Sequence, residues 1–184
     1  MSNRSVPPPL PPSPFDRVWT LGQAIELACL LEVSATKVGN VHPGANFSDM
    51  HFSHFLASTV AIGPIFTQAN QQSVGSLVLA AVRATRSCVG RNTNLGTLLL
   101  FAPLAKAHAA CVANRRDTNA ARLTCSDLRA NLANVLEQLT PQDSQDVYTA
   151  IGTAAPSGLG TREQDDVTGK APDDLRAAMT VVAD

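Results

Sequence analysis

The sequence predicts an all-α protein, a single multi-helix bundle with polar loops converging on one pocket. Three observations predict it. Apolar residues recur at three- and four-residue spacing through most of the chain. Alanine and leucine dominate a hydrophobic content of 45 %, whereas aromatics are only 4 %, a balance that favours helix over strand. No run of alternating apolar residues is long enough to build a sheet.

The elements follow in order. Residues 1–18 read as a Pro-rich disordered tail, with PPPLPPSP at 7–14, and 19–184 as one all-α domain. Thr20 starts the first helix, with Gln23 completing a capping box. Its inward face is read as Ala24, Leu27, Ala28 and Leu31, and its end as about Val33. A polar loop, KVGNVHPGANFSDM at 37–50, follows. Ser48 is the expected N-cap of the second helix, whose buried face is read as Phe52, Phe55, Leu56, Thr59 and Val60, with Gly63-Pro64 as its punctuation. Ser73 caps a third helix with Val74, Leu77, Val78, Ala81 and Val82 inward, and Arg83 and Arg86 near its C-terminal end. After the polar GRNTN at 90–94 comes an apolar helix from Leu95 to Ala110, kinked or restarted at Pro103. Residues 113–123 are read as a connection. Ser126 begins a helix striped with Leu128, Leu132, Val135, Leu136 and Leu139. Thr140, Pro141 and Asp143 supply an N-cap, a first-position proline and a first-turn acid for the next. After a third polar loop the last helix is expected over 171–183, begun by Pro172 and two aspartates.

Composition narrows the function. A net charge of −1 leaves no electrostatic footprint for nucleic acid. The apolar runs read as too short to cross a membrane, and no apolar leader opens the chain. The four cysteines, at 29, 88, 111 and 125, form no CxxC pair; Cys29 and Cys88 read as core residues, and the expected location is the cytoplasm. Low charge and Ala-rich helices hint at a homodimer.

Chemistry concentrates in the loops. Together they offer Lys37, Asp49, Arg91, Asn92, Asn94, Glu163, Asp165 and Asp166, an inventory suited to a phosphorylated ligand and a divalent cation. Each residue also has a bland reading. Asp49 in a first helical turn offsets the helix dipole. Glu32, beside a buried stripe, pairs with Lys37. His51 and His54 share a helix face without making a metal site, and His42 stands in the glycine loop with functional and structural roles equally weighted. The loop is neither a Walker A loop nor a GxGxxG turn.

Leu31-Glu32-Val33-Ser34, then Lys37-x-Gly39-Asn40-Val41, Asp49-Met50, and Asn92-Thr93 with Gly96, resemble the motifs of the triphosphoribosyl-dephospho-CoA synthases, in the same order over roughly residues 21–183. The resemblance implies an all-α enzyme that converts ATP and 3′-dephospho-CoA to triphosphoribosyl-dephospho-CoA and adenine. It implies ATP as a substrate, Mg²⁺ as a cofactor, and small-molecule nucleotides as partners. It places Glu32 and Asp49 as catalytic and metal-holding carboxylates. Lys37, Gly39, Asn40, His42, Asn92, Thr93, Asn94 and Gly96 fall to substrate and phosphate. The chain departs from the family pattern: Val38 replaces a proline, Phe47 a histidine, and Asn94 and Leu95 a His-Lys pair. It is also shorter than the family. These departures resemble a divergent branch linked to tetrahydromethanopterin one-carbon metabolism, where a related ribosyl or phosphoribosyl transfer is the expectation. A non-catalytic nucleotide-binding homologue is the alternative, and an interaction module using the Pro-rich tail is a third. Phe47 and Leu95 discriminate the first two: packed in the core, they favour binding without catalysis.

Overall fold

The computed structural model describes residue 13 and residues 18–114, 123–156 and 166–183. The Pro-rich stretch, Glu163, Asp165 and most of the 113–123 connection lie outside the described residues. Seven helices and no strand occur among those described: α1 (Leu21–Ser34), α2 (Phe52–Thr67), α3 (Val74–Val89), α4 (Leu95–Ala113), α5 (Cys125–Glu137), α6 (Pro141–Ala154) and α7 (Leu175–Ala183). The fold is all-α, as predicted.

α3 is the central helix. It packs most extensively on α6, and also on α2 and α4. Val74, Leu77, Val78, Ala81 and Val82 are all buried, as the sequence predicted. Around it, Ile62, Phe66 and Leu98 are sealed from solvent. Burial of each such side chain contributes about 1.5–3 kcal/mol.

Local caps formed where the sequence placed them. Thr20 Oγ1 accepts from the Gln23 amide while Gln23 Oε1 accepts from Thr20. Ser73 Oγ accepts from Ser76. Asp143 does more than its position in a first turn suggested. Its Oδ2 accepts from the Thr140 amide (2.9 Å) and hydroxyl (2.7 Å), closing the box on α6. Its Oδ1 accepts from the Gly75 amide of α3 at 2.8 Å. One carboxylate, only 3 % exposed, thus caps two helices. At Gly75 a Cβ would lie 2.5 Å from the Asp143 Cα, so only glycine permits the approach.

Several expectations are corrected. The buried residues of α1 are Gly22, Ile25, Cys29 and Val33, one position round from the expected face, and Leu31 is exposed. α1 is apolar nearly all round, so its own pattern does not choose a face. Packing does: a Cβ on Gly22 would lie 2.5 Å from the Gly63 carbonyl oxygen. α2 is turned likewise, burying Ser58, Thr59, Ile62, Gly63 and Phe66 and exposing Val60. It begins at Phe52 after His51 rather than after Ser48, because Asn46 Oδ1 takes the Phe52 amide and His54 Nδ1 takes that of His51. It runs through Pro64 to Thr67; burial of Ile62 and Phe66 offsets an interior proline, which costs about 3 kcal/mol. α4 is one helix containing Pro103, and it is long and apolar enough to cross a membrane by length and composition, contrary to the reading of short apolar runs. Here it serves as a packed helix against α3 and α5. α5 starts at Cys125, capped by Thr124, one residue before the expected Ser126. α7 starts at Leu175, four residues late, with Asp174 Oδ1 accepting from Ala177. Cys88 is exposed rather than core, and all four cysteines are free thiols.

Asp143→Ala is expected to lower the unfolding free energy by about 3 kcal/mol, since buried amides lose their acceptor; denaturant titration checks it. Burial works to raise the Asp143 pKa, but hydrogen bonds from Ser73, Gly75 and Thr140 outweigh it and hold it below its ordinary 3.8. Its stabilisation is therefore complete above about pH 5 and lost as pH falls through the folded value. Thermal unfolding of the wild type should steepen its decline there, and Asp143→Asn should remove that component.

Candidate active site

The end of α1, the loop at 35–51 and the start of α4 enclose a pocket of about 190 Å³ lined by Glu32, Val33, Lys37, Asn40, Val41, Phe47, Phe55, Thr93 and Thr97. Four predicted site residues, Glu32, Lys37, Asn40 and Thr93, meet there from two stretches of chain, 32–40 and the loop before α4. Its lining mixes polar side chains, Glu32, Lys37, Asn40, Thr93 and Thr97, with apolar ones, Val33, Val41, Phe47 and Phe55.

The polar lining is organised by hydrogen bonds. Lys37 Nζ and Glu32 Oε1 form an ion pair across the mouth of α1. Thr93 Oγ1 donates to Ser58 Oγ at 2.7 Å, and Ser58 Oγ donates to the Phe55 carbonyl at 3.1 Å. A partly buried hydroxyl pair thereby fixes Thr93 against α2. Beside the pocket, Arg91 Nη1 meets Asp49 Oδ2 at 3.1 Å. This second ion pair ties the two loops together, two residues along from pocket-lining Phe47 and Thr93. It is exposed, so it contributes little stability of its own.

The other expected site residues do not line the pocket. Asn92 Oδ1 accepts from the Leu95 amide at 3.1 Å and caps α4. Asn94 Oδ1 accepts from Thr85, and its Nδ2 is buried without a partner. His42 Nδ1 takes the Gly44 amide, while His42 and Ala45 exchange backbone bonds of 3.0 and 2.9 Å. Gly39 turns the loop at φ 77°, and Gly96 is exposed in the first turn of α4. The rings of His51 and His54 lie 5.5 Å apart and serve the start of α2. Asp166 Oδ1 accepts from Thr168, within its own loop.

Sequence reading missed Thr97, Phe55 and Ser58. Thr97 stands one helical turn after Thr93, a spacing that could have flagged it. Phe55 was assigned to the buried face of α2, which lies one position further round. Ser58 carried no signal, since a buried serine looks like any other.

Neighbouring chemistry sharpens the choice. Burial, and after it the Glu32 carboxylate, push the Cys29 thiol up to about 11, which keeps it protonated and poorly nucleophilic. A larger cavity, about 330 Å³, lies at the start of α3 beside Lys106 and α6. Its charged groups are engaged in the fold: Lys106 Nζ donates to the Ala69 and Asn70 carbonyls at 3.2 and 3.3 Å, and Asp143 caps two helices. The charged groups of the smaller pocket are held only by each other, in an exposed pair.

A model of the ATP:dephospho-CoA triphosphoribosyl transferase family matches residues 18–183. The chain belongs to this family. Its members are transferases with ATP as a substrate, and the match spans nearly the whole sequence, every element of the pocket included. No curated protein and no solved structure matches the chain.

The two positions that were to discriminate the readings part company. Leu95 packs in the core. Phe47 does not; it is 47 % exposed at the pocket edge. Thr93→Val should leave Ser58 Oγ without its donor and destabilise the fold by about 1–2 kcal/mol, whereas Arg91→Ala should change stability by under about 0.5 kcal/mol. Parallel urea titrations compare them.

Proposed function

We propose that this pocket is where a triphosphoribosyl group passes from ATP to 3′-dephospho-CoA with release of adenine. The observation that carries the proposal is the meeting of Glu32, Lys37, Asn40 and Thr93 in one cavity, within a chain that the family model matches nearly end to end.

In the reaction a hydroxyl of dephospho-CoA attacks the anomeric carbon of the ATP ribose. The carbon–nitrogen bond to adenine breaks, adenine leaves with that electron pair, and the hydroxyl proton passes to a base. The triphosphate is retained. Positive charge builds on the ribose as the bond breaks, as in glycosyl transfer, so a carboxylate near that carbon lowers the barrier. Glu32 is the carboxylate in the pocket, and Asp49 stands at its edge.

Both carboxylates are neutralised by cations in this structure, Glu32 by Lys37 and Asp49 by Arg91. A triphosphate competes for those cations. As Lys37 and Arg91 turn to phosphate, Glu32 and Asp49 gain free oxygens to face the sugar. Asn40 and Thr93 orient the ribose hydroxyls. Pre-paired charges of this kind keep the empty site from holding an unmatched carboxylate.

Mg²⁺ fits this donor set. Among the described residues no three His, Cys, Asp or Glu side chains gather into a cage. Mg²⁺ is commonly held by one or two carboxylates with substrate phosphates, and Glu32 and Asp49 are such hard oxygen donors. When bound it neutralises triphosphate charge.

The second reading, a nucleotide-binding homologue without turnover, is favoured by one observation. Leu95 is buried in the core, so the position that carries a lysine in the resembling motif supplies no cation here. Incubation with ATP, Mg²⁺ and dephospho-CoA, followed by chromatography for adenine, separates the two. Adenine release that requires dephospho-CoA is expected. Asp49→Asn and Glu32→Gln should each lower kcat by about 100-fold or more, with melting temperatures unchanged because both side chains are exposed. Activity retained in Asp49→Asn would remove it from the site. ATP binding without adenine release would establish the second reading.

A further inference from the structure

Phe47 is unusual for a large apolar side chain. It is 47 % exposed although the pocket it lines also holds the apolar Val33, Val41 and Phe55. The loop does not leave its place to chance. Its amide donates to the Met50 carbonyl at 2.9 Å, and the preceding His42–Ala45 turn is tied by two backbone bonds. The next residue back, Asn46, spends its side chain on the Phe52 amide at 2.7 Å. Bracing on both sides holds a half-exposed aromatic ring in the lining of the pocket, which Phe55 and the buried Val41 also line.

The size of the cavity gives that face a use. At about 190 Å³ it is smaller than the roughly 300–1,000 Å³ of pockets that enclose a whole drug-sized ligand. A ribose and part of its phosphates fill it, so the planar base of a nucleotide must lie outside, against the rim. Among the lining residues Glu32, Lys37, Asn40, Thr93 and Thr97 suit sugar and phosphate, and the half-exposed ring of Phe47 suits a π-face.

We propose that Phe47 is the base platform of this site, on which the adenine ring of a bound nucleotide stacks, and that it sets the preference for a nucleotide over a bare polyphosphate. The inference rests on the transferase reading for the location of the sugar, and it names a specificity-determining residue rather than a catalytic one. Both substrates carry adenine, so either ATP or dephospho-CoA could supply the ring.

The test is calorimetric titration of wild type, Phe47→Ala and Phe47→Trp with ATP, with dephospho-CoA and with inorganic tripolyphosphate, each with Mg²⁺. Base–aromatic stacking is strong enough that Phe47→Ala should weaken ATP binding about ten-fold or more. Tripolyphosphate binding should not change, and Phe47→Trp should restore ATP affinity to within a few-fold. A loss confined to dephospho-CoA would also support the platform and assign its ring to the acceptor. Unchanged binding of both nucleotides by Phe47→Ala, or an equal loss of tripolyphosphate, would overturn it. At this half-exposed position both variants are expected to keep the fold, and their melting curves check this. Failure here and failure of the transferase reading are distinguishable. Wild type that releases adenine with the KM for ATP and the KM for dephospho-CoA both untouched by Phe47→Ala refutes only the platform. A Phe47-dependent preference for ATP over tripolyphosphate without adenine release refutes only the transfer.

Discussion

One carboxylate organises this bundle. Asp143 caps its own helix, α6, through Thr140 and reaches the first turn of α3 through Gly75. Helix N-termini leave amides without partners, and burying them unmatched is costly. A single ionised acid satisfies both ends and fixes where α6 lies on α3. The absence of a Cβ at Gly75 lets the backbones close to the distance that the hydrogen bond requires. Because α3 also carries α2 and α4 on its other faces, the register set at this junction passes to the helices that make the pocket.

The candidate site lies away from that junction and is built on different terms. Where the core is mostly apolar, the pocket is assembled from helix ends and a loop, with its charges held in pairs. Glu32–Lys37 and Asp49–Arg91 leave no exposed lone acid facing the cavity, yet neither pair is buried. Exposed pairs exchange partners at little cost. Charges that are matched when empty and available when a polyphosphate arrives suit a site whose substrate brings its own negative charge. The partly buried Ser58–Thr93 hydroxyl pair, by contrast, is a rigid element, holding the start of α4 against α2 while the charged side chains rearrange.

Legibility followed the range of the interaction. The caps at Thr20, Ser73 and Thr140 were legible because each rests on a contact three residues away. The start of α2 was not, because its cap comes from Asn46, six residues back, across a turn that no propensity marks. The polar loop was recognised as the place of chemistry, and four of its expected partners meet in the pocket. Asn92 and His42 were read as ligand groups, yet their side chains serve the loops that hold the pocket open.

By itself the sequence determined the helices, the caps of α1, α3 and α6, the family resemblance and the identity of the polar loops. These depend on contacts within one turn or on motifs in order. Tertiary structure alone decided which face of α1 and α2 is buried, since both are apolar on several sides and only the approach of Gly22 to Gly63 selects one. It also decided that Asp143 serves two helices 68 residues apart, that Asp49 meets Arg91 across 42 residues, and that Phe47 stands at the rim while Leu95 goes to the core. Partners so far apart along the chain leave no local pattern, because their meeting depends on how whole helices pack.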